Sequence, residues 1–457
     1  MLISKTCPIK NLVLDKSHQI WRVLGLPRIS ERRKPPSKEY AVSLLNPNIN
    51  TIAKSNLPLP LWEFVSLIAA LMAINALAID IMLPGLGQIS EYYALTNPND
   101  QQLIVFSFVL GFGFPQLFFG PVSDRLGRKE LLKISLIGYI FAAIACAMTQ
   151  SFTLMLVMRF VQGVFAAGVR VIAVSIVRDV TAGRAMARIM SLVMTVFMIV
   201  PIIAPAIGMG IMAVASWKWT FGILAVFAGV VLLWVQIRLP ETLGNEDRHE
   251  LSFMHTFKNY KEVLSNRTTF GYMTASGIIF GSLFAFIAAS EQIFADVFGR
   301  GDKFALWFAL IAGSLAIANL TNASLVERYG MRRISHGVTV AFVLLSVANI
   351  MVMQFGSGNF FVFLTLFSLT FACFGMMGAN FSAIAMEPQG KMAGTASAVY
   401  GFATTTVSAI IGEQISSRFD GSVVPILYGF AVLGLTSLIV IYMTERGKLF
   451  ELGEGKT

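Results

Sequence analysis

A 457-residue chain with 56% hydrophobic and only 13% charged residues, at a mean hydropathy of +0.71, is not a soluble domain, which would carry nearly twice that charge. The net charge of +10 does not imply a nucleic-acid partner, because no basic stripe is interleaved with aromatics on a polar face. The four histidines (His18, His249, His255 and His336) and three scattered cysteines (Cys7, Cys146 and Cys373) form no metal spacing or disulfide framework, and no Walker phosphate loop occurs, so neither a metal nor another cofactor is expected.

Residues 1–60 hold ten Lys or Arg against three acids and include ERRKPPSKEY. They are expected to form a basic cytoplasmic tail, a disordered extension able to meet anionic lipid, and their composition also fits a transit peptide. Apolar runs follow at about 62–83, 102–120, 131–149, 152–176, 187–214, 219–237, 270–290, 304–325, 334–353, 360–385, 393–415 and 424–443. Each approaches the roughly 20 residues that cross a bilayer, where a backbone must satisfy its own polar groups. The pattern predicts an all-α membrane protein of twelve transmembrane helices in two pseudo-symmetric six-helix halves. The halves span residues 61–243 and 267–445, with a cytoplasmic linker at 244–266 and a cytoplasmic tail at 446–457. Lys and Arg concentrate in the even-numbered loops, which places both termini on the cytoplasmic side.

In the first run, Asp80 of AIDIMLPGL is the one acid well inside apolar sequence, on the face of Ala73 and Ala76. Those small residues are expected to leave it open toward a cavity. In the fourth run, RFVQGVFAAGVR puts Arg159, Gln162, Gly163, Ala166 and Arg170 on one helical face. Charge at membrane depth is costly, so this face should line water or meet an acid. The first run points outward and the fourth inward, which brings Asp80 and Arg159 to compatible depths. Asp80 then reads as a proton carrier, or as the counter-ion of Arg159. Gln116 in the second run and Pro205 in the fifth complete the candidate substrate cavity formed with Asp80, Arg159, Gln162 and Arg170. In the linker, Phe253, Phe257, Tyr260 and Leu264 recur at helical spacing, which predicts a surface helix. Glu291 lies at the outer end of the seventh run and is a further titratable candidate.

The loop after the second run reads GPVSDRLGRK, and that after the eighth ASLVERYGMRR, so Asp124, Arg125 and Gly127 match Glu327, Arg328 and Gly330 at an offset of 203. GPVSDRLGRK resembles the loop motif of the major facilitator superfamily, with Gly120, Asp124, Arg125, Gly127, Arg128 and Lys129 in place. RFVQG is similar to that superfamily's R-x-x-Q-G motif. VPIIAPAIGMG resembles its antiporter motif, with Pro201, Pro205 and Gly208 present but Val200, Ala204 and Met209 standing where the motif has glycine. AIDIMLPGL, SIVRD, PQGKMAGTASAVYGF and FDGSVVPILYGF further resemble the bicyclomycin-resistance (Bcr/CflA) branch.

The resemblance covers about residues 62–443 and implies a monomeric proton-coupled exporter of drugs or other small molecules in a bacterial inner membrane, with no enzymatic activity. Proton coupling would rest on Asp80 and Arg159. Asp124 is expected to contact the N-terminus of the eleventh helix and latch the halves. A dedicated metabolite exporter or a proton symporter on the same fold is the alternative, since fold does not fix function. A membrane enzyme or sensor finds no supporting motif.

Overall fold

The structure, a computed structural model, describes residues 57–244, 253–356 and 358–451. Nearly all of the expected basic tail, most of GNEDRHE in the linker, and the end of the C-terminal tail lie outside the described residues.

Every regular element among the described residues is helical. The principal helices are α1 (Leu61–Asp80), α2 (Leu86–Tyr92), α3 (Leu103–Gly113), α4 (Gln116–Leu126), α5 (Arg128–Met148), α6 (Phe152–Val180), α7 (Gly183–Met212) and α8 (Lys218–Arg238). They continue as α9 (Phe253–Ser265), α10 (Arg267–Gln292), α11 (Phe304–Tyr329), α12 (Met331–Phe355), α13 (Phe360–Met386), α14 (Ala393–Ser416) and α15 (Val424–Thr444). Ten spans among the described residues are long and apolar enough to cross a membrane, and an eleventh is the pair Pro98–Gly113 and Gln116–Leu126, bent by 47°. The expected eleventh run is α14, whose 24 residues reach about 36 Å at helical rise. It falls short in apolarity because AGTASAVYGFATTT is built from small and hydroxylated residues. α14 packs on α10, α3 and α4, so those residues serve helix packing, as is usual between membrane helices.

Helix boundaries follow local chemistry. Ser151, Asn266 and Asn359 cap α6, α10 and α13 by accepting backbone amides of the first turn. Gly127 and Gly330 join α4 to α5 and α11 to α12 with φ of 94° and 83°, a region costly for any residue with a Cβ. The two positions differ by 203 in number and share one conformation, so the repeat in sequence is also a repeat in backbone geometry.

Helices α1 and α3–α8 pack chiefly on one another, as do α10–α15, while α3 and α4 meet α14 and α7 meets α11. One end of the bundle, marked by Asn99, is joined by side-chain amides. Asn99 donates to the carbonyls of Ser417 and Phe419 at 3.0 and 2.8 Å, Gln102 donates to Gln292 at 2.7 Å, and Gln292 donates to Asn99 at 3.1 Å. The linker forms a helix, α9, over Phe253–Ser265, and it also packs on the bundle. Phe257 is 72% exposed, whereas Val263 is fully buried against Met273, Ala396 and Val399. Tyr260 fixes the register by donating its hydroxyl to the Leu117 carbonyl at 2.6 Å. The side of α9 that meets the bundle therefore carries Tyr260 and Val263, and Phe257 stays on its exposed side.

Candidate functional site

Arg159 is fully buried, and its guanidinium is held by oxygens of neutral groups. It donates to the carbonyls of Ile104 at 3.2 Å and Ala78 at 3.1 Å and to Gln162 Oε1 at 2.7 Å, and it lies over the Phe108 ring at 4.5 Å. The Asp80–Arg159 ion pair, the alternative reading of Asp80, is not formed. α1 ends at Asp80, so the carbonyls of its last turn lack helical donors, and Arg159 takes that of Ala78. A cation at the negative end of a helix is electrostatically favourable. Gly163 permits this arrangement, since a Cβ there would stand 2.1 Å from the Phe108 carbonyl of α3.

Asp80 is buried at the end of α1 and makes neither an ion pair nor a side-chain hydrogen bond among the described residues. Its face is not open in the way its small neighbours suggest. Ala73 and Ala76 are buried against Val200 and Ala204 of α7, with Leu77 and Phe197 beside them. The same contact continues to Gly208, where a Cβ would lie 2.0 Å from the Ile81 carbonyl, one residue beyond Asp80. Pro201 and Pro205 interrupt the α7 hydrogen-bond ladder just before this point, with Pro205 buried. Asp80 thus sits where a prolyl segment of one helix abuts the end of another.

Three turns along α6 from Arg159, Arg170 is half-buried with its guanidinium 5.5 Å from the Phe112 ring. Gln116, buried at the start of α4, donates to the Phe112 carbonyl at 3.1 Å and to Thr405 of α14 at 3.5 Å. Gly401 of α14 approaches the Gln116 side chain. Arg170 and Gln116 therefore both meet Phe112 at the bend between α3 and α4, whereas Arg159 meets the end of α1 at Ala78.

The GPVSDRLGRK loop is organised by Arg128, which is 3% exposed. It pairs with Asp124 at 2.6 Å and Asp179 at 2.8 Å and also donates to Ser123 Oγ. Glu241 of PETL accepts the backbone amides of Arg128 at 3.0 Å and Lys129 at 3.2 Å, where a carboxylate complements a helix start. Lys129 donates its Nζ to the Gln236 carbonyl at 3.1 Å. Arg125 is exposed and Gly120 has open space beside it. Asp124 does not bond the N-terminus of α14 as expected. The group standing there is Arg178, whose Nη1 would lie 2.7 Å from a Cβ at Gly394. The reason is local, because Asp124 precedes Arg128 by one helical turn and is satisfied by it.

Sequence reasoning missed several partners. Glu63 accepts both Nε and Nη2 of Arg238 at 2.7 Å, joining the first turn of α1 to the end of α8. Their position at matching ends of antiparallel runs is a usable signal. The amides Gln101, Gln102 and Gln292 carried none, being ordinary polar residues at run ends. Glu291 accepts from Gln101 at 3.3 Å and so belongs to the Asn99 end.

A bundle of apolar helices with titratable groups in its interior is the form of a membrane transporter. The family model of the Major Facilitator Superfamily matches residues 65–413, and the chain belongs to that superfamily. It is 27% identical to the bicyclomycin resistance protein homolog of Haemophilus influenzae over 396 residues, 84% of this chain and 96% of that one. It is also 27% identical to the multidrug resistance protein MdtL of Vibrio parahaemolyticus over 350 residues, 74% and 85% of the two chains. These relatives agree with the branch resemblance seen in the motifs. Among solved structures, a D-xylose–proton symporter is similar in fold with a TM-score of 0.67 at 14% identity, covering 85% of this chain and 98% of that one. The protein is a multi-pass membrane transporter and not an enzyme.

Proposed function

We propose that this transporter performs proton-coupled export of small amphipathic molecules across a bacterial inner membrane, as a monomer in contact with membrane lipids and with both termini cytoplasmic. The observation that carries the reading is Asp80, a buried acid with no ion-pair partner among the described residues, set against the prolyl segment of α7. Because Arg159 is already held by carbonyls and Gln162, the Asp80 carboxylate is available to a proton. Rocking of residues 61–243 against 267–445 would expose the site alternately to each side of the membrane. The amide contacts at the Asn99 end support a state closed there, which on the loop-charge orientation is the outer side. Protonation from outside and release inside would then be exchanged for substrate moving out. The Arg128 cluster lies at the opposite end, where it can steady the loop that must move on that side.

The names of the bicyclomycin-resistance and multidrug-resistance relatives support export of foreign small molecules. Everted vesicles test the direction. With an acidic lumen, an exporter exchanging protons for substrate accumulates a labelled probe inside, and collapse of the gradient abolishes accumulation. A symporter would expel the preloaded probe along with protons. Probe movement that ignores the gradient would overturn the proton-coupled reading.

A further inference from the structure

Among the described residues Arg170 is a cation of the helical interior to which the protein offers neither an anion nor a hydrogen-bond acceptor. Arg159 has three hydrogen-bond acceptors, Arg128 two carboxylates, Arg238 Glu63, and Arg332 both Glu387 and Glu445. Among the described residues Arg170 makes no ion pair or hydrogen bond, and its guanidinium lies over the face of Phe112 at 5.5 Å. The sequence leaves it little choice. Of the helices packed on α6, α3 and α7 contain no acid, and Asp124 of α4, Asp179 of α6, Glu130 of α5 and Glu63 of α1 are already paired with Arg128, Lys133 or Arg238, while Glu291 and Glu413 of α10 and α14 lie toward the ends away from Arg170. Asp80 is near the Arg159 level, and Arg159 is about 16 Å from Arg170 by helical rise. A cation at membrane depth without water or a counter-ion is strongly unfavourable, so the position demands an anion from outside the chain or a wet cleft that admits one.

The groups at the bend that follows Phe112 favour the same charge. The second transmembrane span breaks between α3 and α4, and Phe118 and Phe119 both turn back to the Pro115 carbonyl. The amides of Gln116 and Leu117 therefore precede the α4 ladder at the positive end of that helix. Broken-helix N-termini of this kind face anionic groups in other transporter folds. The Gln116 side chain stands beside the break, and the Thr406 hydroxyl on α14 is buried with no partner. Phe112, and the Phe114–Phe402 contact at 6.2 Å, supply aromatic surface alongside.

We infer that Arg170, with the break before Gln116 and the ring of Phe112, forms the anion-binding end of the substrate site, and that the transported molecules are amphipathic organic monoanions. The anion rests on the guanidinium and the α4 amides, and the apolar body lies on the phenyl rings. This inference rests on the proposed transport reading and narrows it. It also sets the electrical signature, since one proton entering for one monoanion leaving moves two elementary charges across the membrane.

Three labelled probes of one shape test it: naphthalene-2-carboxylate, naphthalene-2-carboxamide and trimethyl(naphthalen-2-ylmethyl)ammonium. Equilibrium dialysis of the full-length protein in detergent should show the carboxylate bound at least about tenfold more tightly than either other probe. Arg170→Gln should remove that preference while leaving carboxamide binding, which reports an intact site, and Arg170→Lys should restore part of it. Equal binding of the three probes, preference for the ammonium, or an unchanged carboxylate affinity in Arg170→Gln would overturn the anion site. In proteoliposomes, carboxylate exchange against protons should accelerate under an imposed potential positive on the side from which protons enter. Arg170-dependent binding without movement driven by a pH gradient would uphold the anion site and overturn proton coupling instead.

Discussion

Replacing Arg159 with Gln separates a helix-capping role from an ion-pair role. The guanidinium makes two longer hydrogen bonds, to Ile104 at 3.2 Å and Ala78 at 3.1 Å, and one shorter bond, to Gln162 at 2.7 Å. Charged hydrogen bonds contribute about 1.5–3 kcal/mol each, and a desolvated cation over a ring such as Phe108 adds roughly 2 kcal/mol. Relief of the buried charge offsets several kcal/mol of that sum. A net loss of about 2–4 kcal/mol is expected, read as a fall in thermal midpoint of the purified protein in detergent. The decisive quantity is additivity with Asp80→Asn. Since Asp80 and Arg159 are not paired, the two midpoint shifts should nearly add, with coupling below about 1 kcal/mol. Coupling above roughly 2 kcal/mol would refute the capping account and restore the ion pair.

Asp179→Asn should destabilise by about 3 kcal/mol, because Asp179 is 15% exposed and shares Arg128 with a more exposed partner. Asp124→Asn, 38% exposed and one turn from Arg128, should cost only about 0.3–1 kcal/mol, and thermal midpoints measured side by side check the order. Gly163→Ala forces a Cβ onto the backbone of α3 at 2.1 Å, so a loss of about 1–3 kcal/mol and slower transport are expected. Tyr260→Phe removes the bond to the Leu117 carbonyl and should raise proteolysis of the linker helix, measured by limited trypsin digestion, with little effect on the midpoint of the bundle.

Much of the architecture is legible because lipid imposes a simple rule on backbone and side chains alike. Runs of apolar residues became helices, and Gly127 with its counterpart Gly330 marked the repeat that the backbone reproduces. Local pattern failed where a partner comes from elsewhere in the chain. Asp80 and Arg159 occupy compatible depths, yet the end of α1 offered Arg159 a carbonyl that depth alone does not reveal. Ala73 and Ala76 read as open surface because small residues serve equally to admit a neighbouring helix, here α7. The bend at Phe114–Pro115 was hidden within a continuous apolar run. The linker helix was legible from the periodicity of Phe253, Phe257, Tyr260 and Leu264, whereas the burial of Val263 against α14 depends on residues far along the chain.

Coupling of transport to a proton on Asp80 is tested most directly in proteoliposomes carrying a trapped pH-sensitive dye. Addition of a transported substrate should drive proton counterflow through the unaltered protein. In Asp80→Asn that counterflow should vanish, while substrate binding in detergent persists because Arg170, Gln116 and Phe112 remain in place. Substrate-driven proton movement through Asp80→Asn at the original rate would contradict the account and move the proton site elsewhere, with Glu291 at the Asn99 end the next residue to examine.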